Sequence, residues 1–243
     1  MLLSGAGVAV AALSASVAMA DTTYDLTVAP SSATINGALF KTYDLRAAGS
    51  GVLHSFVRIS ANTDTVQGYN TSGRPVAFDE NTSPTFTHDA LVSDFPIANV
   101  GGTDYYEFLL DINQLAADPL ESLDAVKIYT STTPSQTTSD INSLGTLRYD
   151  MDAGDDATVT LNYLNFTGSG QADMVLYVPT SYFGSTSEYL YLYSFFGVPN
   201  NNNDGFEEWA HRDSTTAVPL PTGAAMGMAG LSGLMMVRRR RAR

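Results

Sequence analysis

The 243-residue chain carries 25 acidic and 12 basic residues, for a formal net charge of −13, and it contains no cysteine. The acidic surplus disfavours binding to nucleic acid or anionic lipid, and the lack of thiols excludes disulfides, thiolate metal sites and cysteine nucleophiles. All 25 acidic residues but only seven basic residues fall within residues 21–217, so this region alone carries a net charge of −18.

The first predicted element is a signal peptide at residues 1–20. This stretch is apolar and rich in small residues, and it ends in Ala18-Met19-Ala20, which fits the small-x-small pattern that precedes signal-peptidase cleavage. We therefore expect signal peptidase to cut after Ala20. The alternative is a buried N-terminal helix, which is disfavoured because the run contains two glycines and no polar face.

Residues 21–217 show the alternation of apolar and polar side chains that is typical of β-strands, and this is the predicted extracellular domain. The pattern predicts eight strands, at 24–28, 53–59, 105–112, 125–129, 144–149, 158–164, 174–178 and 189–196. Turn-rich stretches at 60–74, 79–88, 131–140 and 199–205 separate them, and 111–123 offers a short helical turn. The predicted fold is all-β: one antiparallel β-sandwich, jelly-roll-like, in a single domain.

An acidic loop is the first candidate metal site. Asp150, Asp152, Asp155 and Asp156 place four carboxylates within seven positions, and such a loop could wrap calcium, which takes six to eight oxygen ligands. The spacing is not that of an EF-hand, because Gly154 occupies the fifth position. The alternative is a solvated acidic hairpin loop.

The Asn-rich segment 200–209 is the second calcium candidate, with Asn202 and Asp204 as ligands. Oxygen-bearing residues occupy its positions one, three, five and nine with glycine at six, as in a calcium loop. However, His211 stands at position 12, where the loop needs glutamate. The alternative is an Asn-rich turn that leads into a terminal strand, with Trp209 in the core.

The strand predicted at 189–196 carries aromatic side chains at every second position. Four of them share one face: Tyr189, Tyr191, Tyr193 and Phe195. Exposed aromatic rings can stack on sugars, so Tyr191 and Trp209 are candidate glycan contacts. Leu190 and Leu192 make the opposite face apolar as well, which favours core packing as the alternative.

Signals for catalysis are poor. His54, His88 and His211 are scattered singly without metal-ligand spacing, and no serine lies in a nucleophile-elbow pattern. Glu207 and Glu208 are adjacent, so on a strand they point to opposite faces and cannot form a facing acid/base pair. The sequence therefore predicts a noncatalytic protein, with a polysaccharide lyase or glycosidase on a jelly roll as the less favoured alternative.

The last predicted element is a three-part tail at 218–243. It consists of Val218-Pro219-Leu220-Pro221, an apolar stretch at 222–237, and the cluster Arg238, Arg239, Arg240, Arg241 and Arg243. The apolar stretch makes about 24 Å of helix, which is short against a hydrocarbon core of roughly 30 Å. The arginines favour the cytoplasmic side of the membrane, which places the preceding region outside.

This layout resembles the PEP-CTERM sorting signal of bacterial exosortase substrates, in which a short Pro-containing motif precedes an apolar segment and an Arg cluster. Here the motif reads VPLP where the typical signal has Pro-Glu-Pro. The strings LDIN, YDMDAG, GSGQADM, YLYLYSFFG and DGFEEW resemble segments of the same class of surface proteins.

The resemblance implies a secreted or surface-displayed protein with no established catalytic residues. Its processing partners would be signal peptidase and an exosortase-type transpeptidase, which would cut near 218–222 after transient insertion of the tail in the inner membrane. The alternative for the tail is a lasting membrane anchor. The expected role is in the cell surface or exopolysaccharide matrix, and the alternative function is that of a carbohydrate-binding module.

Overall fold

The computed structural model describes residues 21–42, 53–166 and 172–212. Ala20, the VPLP motif, the apolar stretch and the Arg cluster all lie outside these residues. Among the residues described, no helix is both long and apolar enough to cross a bilayer. The described chain contains fourteen strands and four single-turn 3-10 helices.

The strands follow the chain in this order: β1 (Asp21–Asp25), β2 (Ser32–Ile35), β3 (Ala38–Lys41), β4 (Leu53–Ile59), β5 (Val66–Tyr69), β6 (Ala90–Leu91), β7 (Ile97–Val100), β8 (Thr103–Asp111), β9 (Leu120–Ser131), β10 (Thr146–Asp150), β11 (Asp156–Asn162), β12 (Met174–Pro179), β13 (Tyr189–Phe196) and β14 (Glu207–Arg212). The 3-10 helices are Val92–Asp94, Ile141–Ser143, Tyr163–Asn165 and Thr180–Tyr182.

Two sheets of seven strands each form within the described ranges. In the first sheet, β1, β11, β9, β13 and β5 are neighbours in that order, with β10 paired to β9 and β6 to β13. In the second, the order is β2, β3, β12, β8, β14 and β4, with β7 paired to β8. Strand β1 pairs with β11 in parallel, and the other pairings are antiparallel. The predicted all-β, largely antiparallel character is confirmed.

Long apolar runs locate strands better than short ones. The predictions at 53–59 and 189–196 coincide with β4 and β13. By contrast, β5 lies inside the stretch 60–74 that the sequence predicts as a turn-rich connection, because four residues containing a glycine carry no clear alternation. The helical turn predicted at 111–123 is reduced to one hydrogen-bonded turn, in which the Asp118 N–H donates to the Leu115 carbonyl at 2.9 Å, because β8 extends to Asp111 and β9 begins at Leu120.

The inner faces of the two sheets share one apolar core, in a β-sandwich-like arrangement. Val126, Leu192 and Phe196 reach it from the first sheet, and Phe108 and Leu176 reach it from the second. These side chains alternate along their strands with outward-facing residues, as the pleat requires. Burial of this core is the main driving force for holding the sheets together.

A second apolar cluster lies on the other face of the first sheet. It is built from Tyr69, Tyr129, Tyr191, Tyr193 and Leu144. The turn-rich stretch after β9 lies against it: the Tyr69 hydroxyl donates to the Thr138 carbonyl at 2.9 Å and the Tyr191 hydroxyl to the Thr133 carbonyl at 2.7 Å. Strand β13 is therefore buried on both faces, as the core-packing interpretation expects.

Candidate functional site

The two candidate glycan contacts are both core residues. Trp209 and Tyr191 are each 0 % exposed. The Trp209 indole Nε1 donates to Ser194 Oγ at 3.0 Å, which joins β14 in one sheet to β13 in the other. Since neither ring reaches the surface, neither can stack on a sugar as the platform hypothesis requires.

The acidic loop between β10 and β11 uses two of its carboxylates to hold itself together. Asp150 Oδ2 lies 2.7 Å from Lys127 Nζ, and its Oδ1 accepts from the Asp152 backbone N–H at 3.0 Å. Asp152 Oδ1 accepts from the Ala157 N–H at 3.2 Å, while Asp155 and Asp156 are exposed. The strands on either side of the loop, β10 and β11, both pair antiparallel with β9 and not with each other, so the loop is an acidic excursion along one edge of β9 and not the turn of a hairpin.

The Asn-rich loop before β14 forms one wall of a polar cleft of about 380 Å³. The opposite wall is the loop after β4, at residues 60–64. Asp64, Asp118 and Asp204 each bring an exposed carboxylate to the lining, together with asparagine amides. The cleft therefore offers many hydrogen-bond acceptors and a negative potential.

Side chains and backbone fix the two walls of the cleft against each other. The Asn202 backbone N–H donates to the Asp64 carbonyl at 2.9 Å, and its Nδ2 lies 3.5 Å from the Thr63 carbonyl. Asn203 Nδ2 donates to the Asp118 carbonyl at 2.8 Å. Asn202 Oδ1 is buried and receives no donor within the described chain.

A pair of buried glutamates lies behind this loop. Glu121 on β9 and Glu207 on β14 come from opposite sheets, and both are 0 % exposed. Glu207 Oε2 accepts from the Asn113 N–H at 3.3 Å, and Oε1 accepts from Gln114 Nε2 at 3.4 Å. Glu208 points the other way and pairs with Arg58, which confirms that adjacent glutamates take opposite faces.

The carboxyl groups of this buried region have raised pKa values. Burial raises the pKa of Glu207, and the neighbouring Glu121 raises it further. Burial also raises the pKa of Glu121. Nearby, burial raises the pKa of Asp173 to about 8, with smaller contributions from Asp111 and Glu121. Because like charges in a low-dielectric interior repel strongly, these groups favour a bound proton or a cation.

Gln114 connects the buried pair to the cleft. Its Nε2 donates to Glu207, and its Oε1 accepts from the Asn203 backbone N–H at 3.1 Å. The residue is itself buried. The loop that lines the cleft and the glutamates behind it are therefore parts of one hydrogen-bonded unit.

The sequence did not single out Glu121, and its pattern assigned no functional role to Glu207. A signal for Glu207 was present, since it stands two positions before Trp209 and must share the inner face that the core interpretation of Trp209 requires. Nothing comparable marks Glu121, because its partner is remote in sequence.

The predicted calcium ligands lie in two separate loops. Asp150, Asp152, Asp155 and Asp156 belong to the segment that links β10 to β11, and Asn202 and Asp204 belong to the cleft wall. Within residues 21–42, 53–166 and 172–212, no group of three or more histidine or acidic side chains converges as a metal site. The chain matches no protein-family model, no curated protein and no solved structure.

Proposed function

We propose that the chain is an exported, noncatalytic β-sandwich protein of the cell surface or exopolysaccharide matrix, sorted by an exosortase-type system. The observation that carries this proposal is the placing of a β-rich region of net charge −18 between a signal-like stretch and an Arg-rich tail. Strand β1 begins at Asp21, so cleavage after Ala20 would leave both sheets whole. A single domain with jelly-roll-like connections belongs to the same proposal.

The position of the buried carboxyls supports a noncatalytic role. A glycosidase holds two carboxyl groups at an open cleft, on either side of the bond to be cut. Glu121 and Glu207 have the raised pKa values that a catalytic acid needs, but both are 0 % exposed. A polysaccharide cannot reach them between the sheets.

Processing is tested by fractionation of the producing cell and mass spectrometry of the mature termini. We expect the protein outside the cell, with Asp21 as its first residue and no residues after about Thr222. Replacing the five tail arginines with glutamine should leave the chain uncut in the membrane, because the topogenic signal is lost. An intact wild-type tail in the inner membrane would show a lasting anchor instead.

Glycan binding at the polar cleft is a second candidate function. The cleft is concave, is large enough for a sugar ring, and presents carboxylate and amide oxygens that can accept hydrogen bonds from sugar hydroxyls. Asp64 and Asp204 are exposed there, so their side chains are available to a ligand.

A glycan array and a pull-down with the native exopolysaccharide test this candidate. We expect binding to fall at least tenfold in a D64A/D204A variant, because two acceptors are removed. D155A, which removes an exposed carboxylate from the other loop, is the matched control and should bind as wild type. Equal loss in both variants would indicate a general charge effect and count against a cleft site.

A further inference from the structure

The most unusual contact in the described chain is the meeting of Glu121 and Glu207 inside the sandwich. Glu207 has two donors, from Asn113 and Gln114. Both Glu121 oxygens are buried with no donor at normal hydrogen-bond distance, and the side chains of Gln114 and Glu207 interact with this carboxyl as weaker hydrogen-bond partners. A buried carboxylate without a partner is among the costliest groups a fold can contain.

Nearby acidic side chains raise the free-energy cost of burying the Glu121 carboxylate. Asp173 immediately precedes β12, and its Oδ1 is also buried without a donor. Its negative charge raises the pKa of Glu207. The negative charge of Asp124, on β9, raises the pKa of Glu121. The charged groups that raise the pKa values of the pair are acidic, and the Gln114 amide and the Asn113 backbone N–H are neutral donors. Neither Lys nor Arg of the described residues is paired with Glu121 or Glu207. The missing component is therefore a positive charge.

We propose that Glu121 and Glu207 form a binding site for a hard divalent cation of the calcium class, held between the two sheets. Glu121 offers both of its oxygens, and the Glu207 oxygens accept only long hydrogen bonds of 3.3 and 3.4 Å that a cation can displace; calcium completes its shell with amide oxygens and water. The set contains oxygen alone, without imidazole or thiolate, and oxygen sets suit calcium, magnesium or manganese.

The site differs from the two loops that the sequence singled out. In the β10–β11 loop, Asp150 and Asp152 already accept hydrogen bonds and an ion pair, so their oxygens are occupied. At the glutamate pair, the unpartnered oxygens face a second carboxyl across the core. The cation would join β9 to β14 and so join one sheet to the other.

The cleft gives the ion a way in. The loop containing Asn203 lines the cleft and also bonds to Gln114, which covers Glu207. The inference does not depend on export of the protein, and it stands or falls separately from the proposed function.

The full chain in mild detergent, freed of divalent ions with a chelator, should be titrated with terbium and then with calcium. Trp209 is the single tryptophan of the chain and lies two residues from Glu207 on the same face of β14. A terbium ion at the pair should therefore show luminescence when tryptophan is excited. We expect saturation at one ion per chain and displacement of that ion by calcium.

Single substitutions test which side chains bind the ion. E121Q and E207Q should each weaken calcium binding at least tenfold, whereas D155N and D204N should leave it unchanged. The glutamine variants keep the side-chain shape and remove the repulsion, so we expect both to fold without calcium. Calcium should raise the melting temperature of wild type and not that of E121Q.

Three results would overturn the site. The first is the absence of saturable binding in wild type at about 10 mM calcium, ten times the weak end of extracellular calcium modules. The second is wild-type affinity in both E121Q and E207Q. The third is loss of binding in D155N or D204N alone, which would return the ion to one of the loops.

Discussion

Replacing Trp209 with alanine is expected to lower the free energy of unfolding by about 3–5 kcal/mol. The indole is fully buried between the sheets, so truncation leaves a large cavity. It also removes the hydrogen bond from Nε1 to Ser194 Oγ, which links β14 to β13. Urea denaturation followed by circular dichroism measures the loss.

Two further variants serve as controls for this prediction. Trp209→Phe keeps an aromatic ring, so its cost should be smaller than that of alanine, and it combines the loss of the Ser194 hydrogen bond with a smaller cavity. Leu147→Ala truncates a side chain that is 48 % exposed and should cost less than about 0.5 kcal/mol. If Trp209→Ala were as mild as Leu147→Ala, Trp209 would have to lie at the surface, and the glycan-contact hypothesis would regain support.

Stability in calcium-free buffer is expected to fall as the pH rises from about 6.5 to above 8. Burial raises the pKa of Asp173 to about 8 and that of Asp124 to about 7, from ordinary values of 3.8. Below the ordinary pKa of 3.8, both carboxyl groups are protonated in the folded and in the unfolded state, and their contribution to stability is fully present. As the pH rises, the unfolded chain gives up these protons first, so the folded state binds more protons and each further rise favours unfolding.

The loss should be on the order of 2 kcal/mol or more, because one unit of pKa difference corresponds to about 1.4 kcal/mol. Burial lowers the pKa of His211, so this residue makes the protein more stable as the pH rises. That effect is confined to pH values below about 6.5. Thermal melts at a series of pH values measure the change. Choosing the window above pH 6.5 separates the raised carboxyls from the ordinary ones.

Asp173→Asn should reduce the slope of the pH dependence, and the raised pKa values of Asp124 and Glu121 should account for the slope that remains. The amide oxygen can still accept from the Ile112 N–H, which now donates to Asp173 Oδ2 at 2.9 Å, so the contact survives while the titration is removed. Asp155→Asn removes one exposed negative charge and should leave the slope in place. A stability that is constant or rises between pH 6.5 and 8.5 would contradict the prediction.

The accuracy of the sequence prediction follows the strength of the local pattern. Strand β13 could be located to the residue because its first five positions alternate between tyrosine and leucine and two phenylalanines follow after Ser194. Strand β6 has two residues and β5 has four, and both exist through hydrogen bonds to β13. Such short strands are defined by their neighbour in the sheet, which the local sequence does not contain.

The candidate site shows the same division. Glu207 could have been placed on the inner face from its spacing to Trp209, and the opposite direction of Glu208 was predicted correctly. The sugar-stacking role of Tyr191 was wrong because burial depends on the loop after β9, which folds back over the sheet. Alternation predicts which residues share a face, but it does not predict what covers that face.

Composition and local periodicity were enough to predict the strand-rich character of the chain, the charge of −18 on residues 21–217, and the signal-like and Arg-rich segments on which the proposed destination rests. These properties are sums or local patterns, so they need no knowledge of contacts. The folded chain was needed to show that Tyr191 and Trp209 are core residues, that Asp64 and Asp204 line a common cleft, and that Glu121 lies next to Glu207. Those outcomes depend on pairing between strands that are distant along the chain. This pairing is favoured because it buries the whole apolar core.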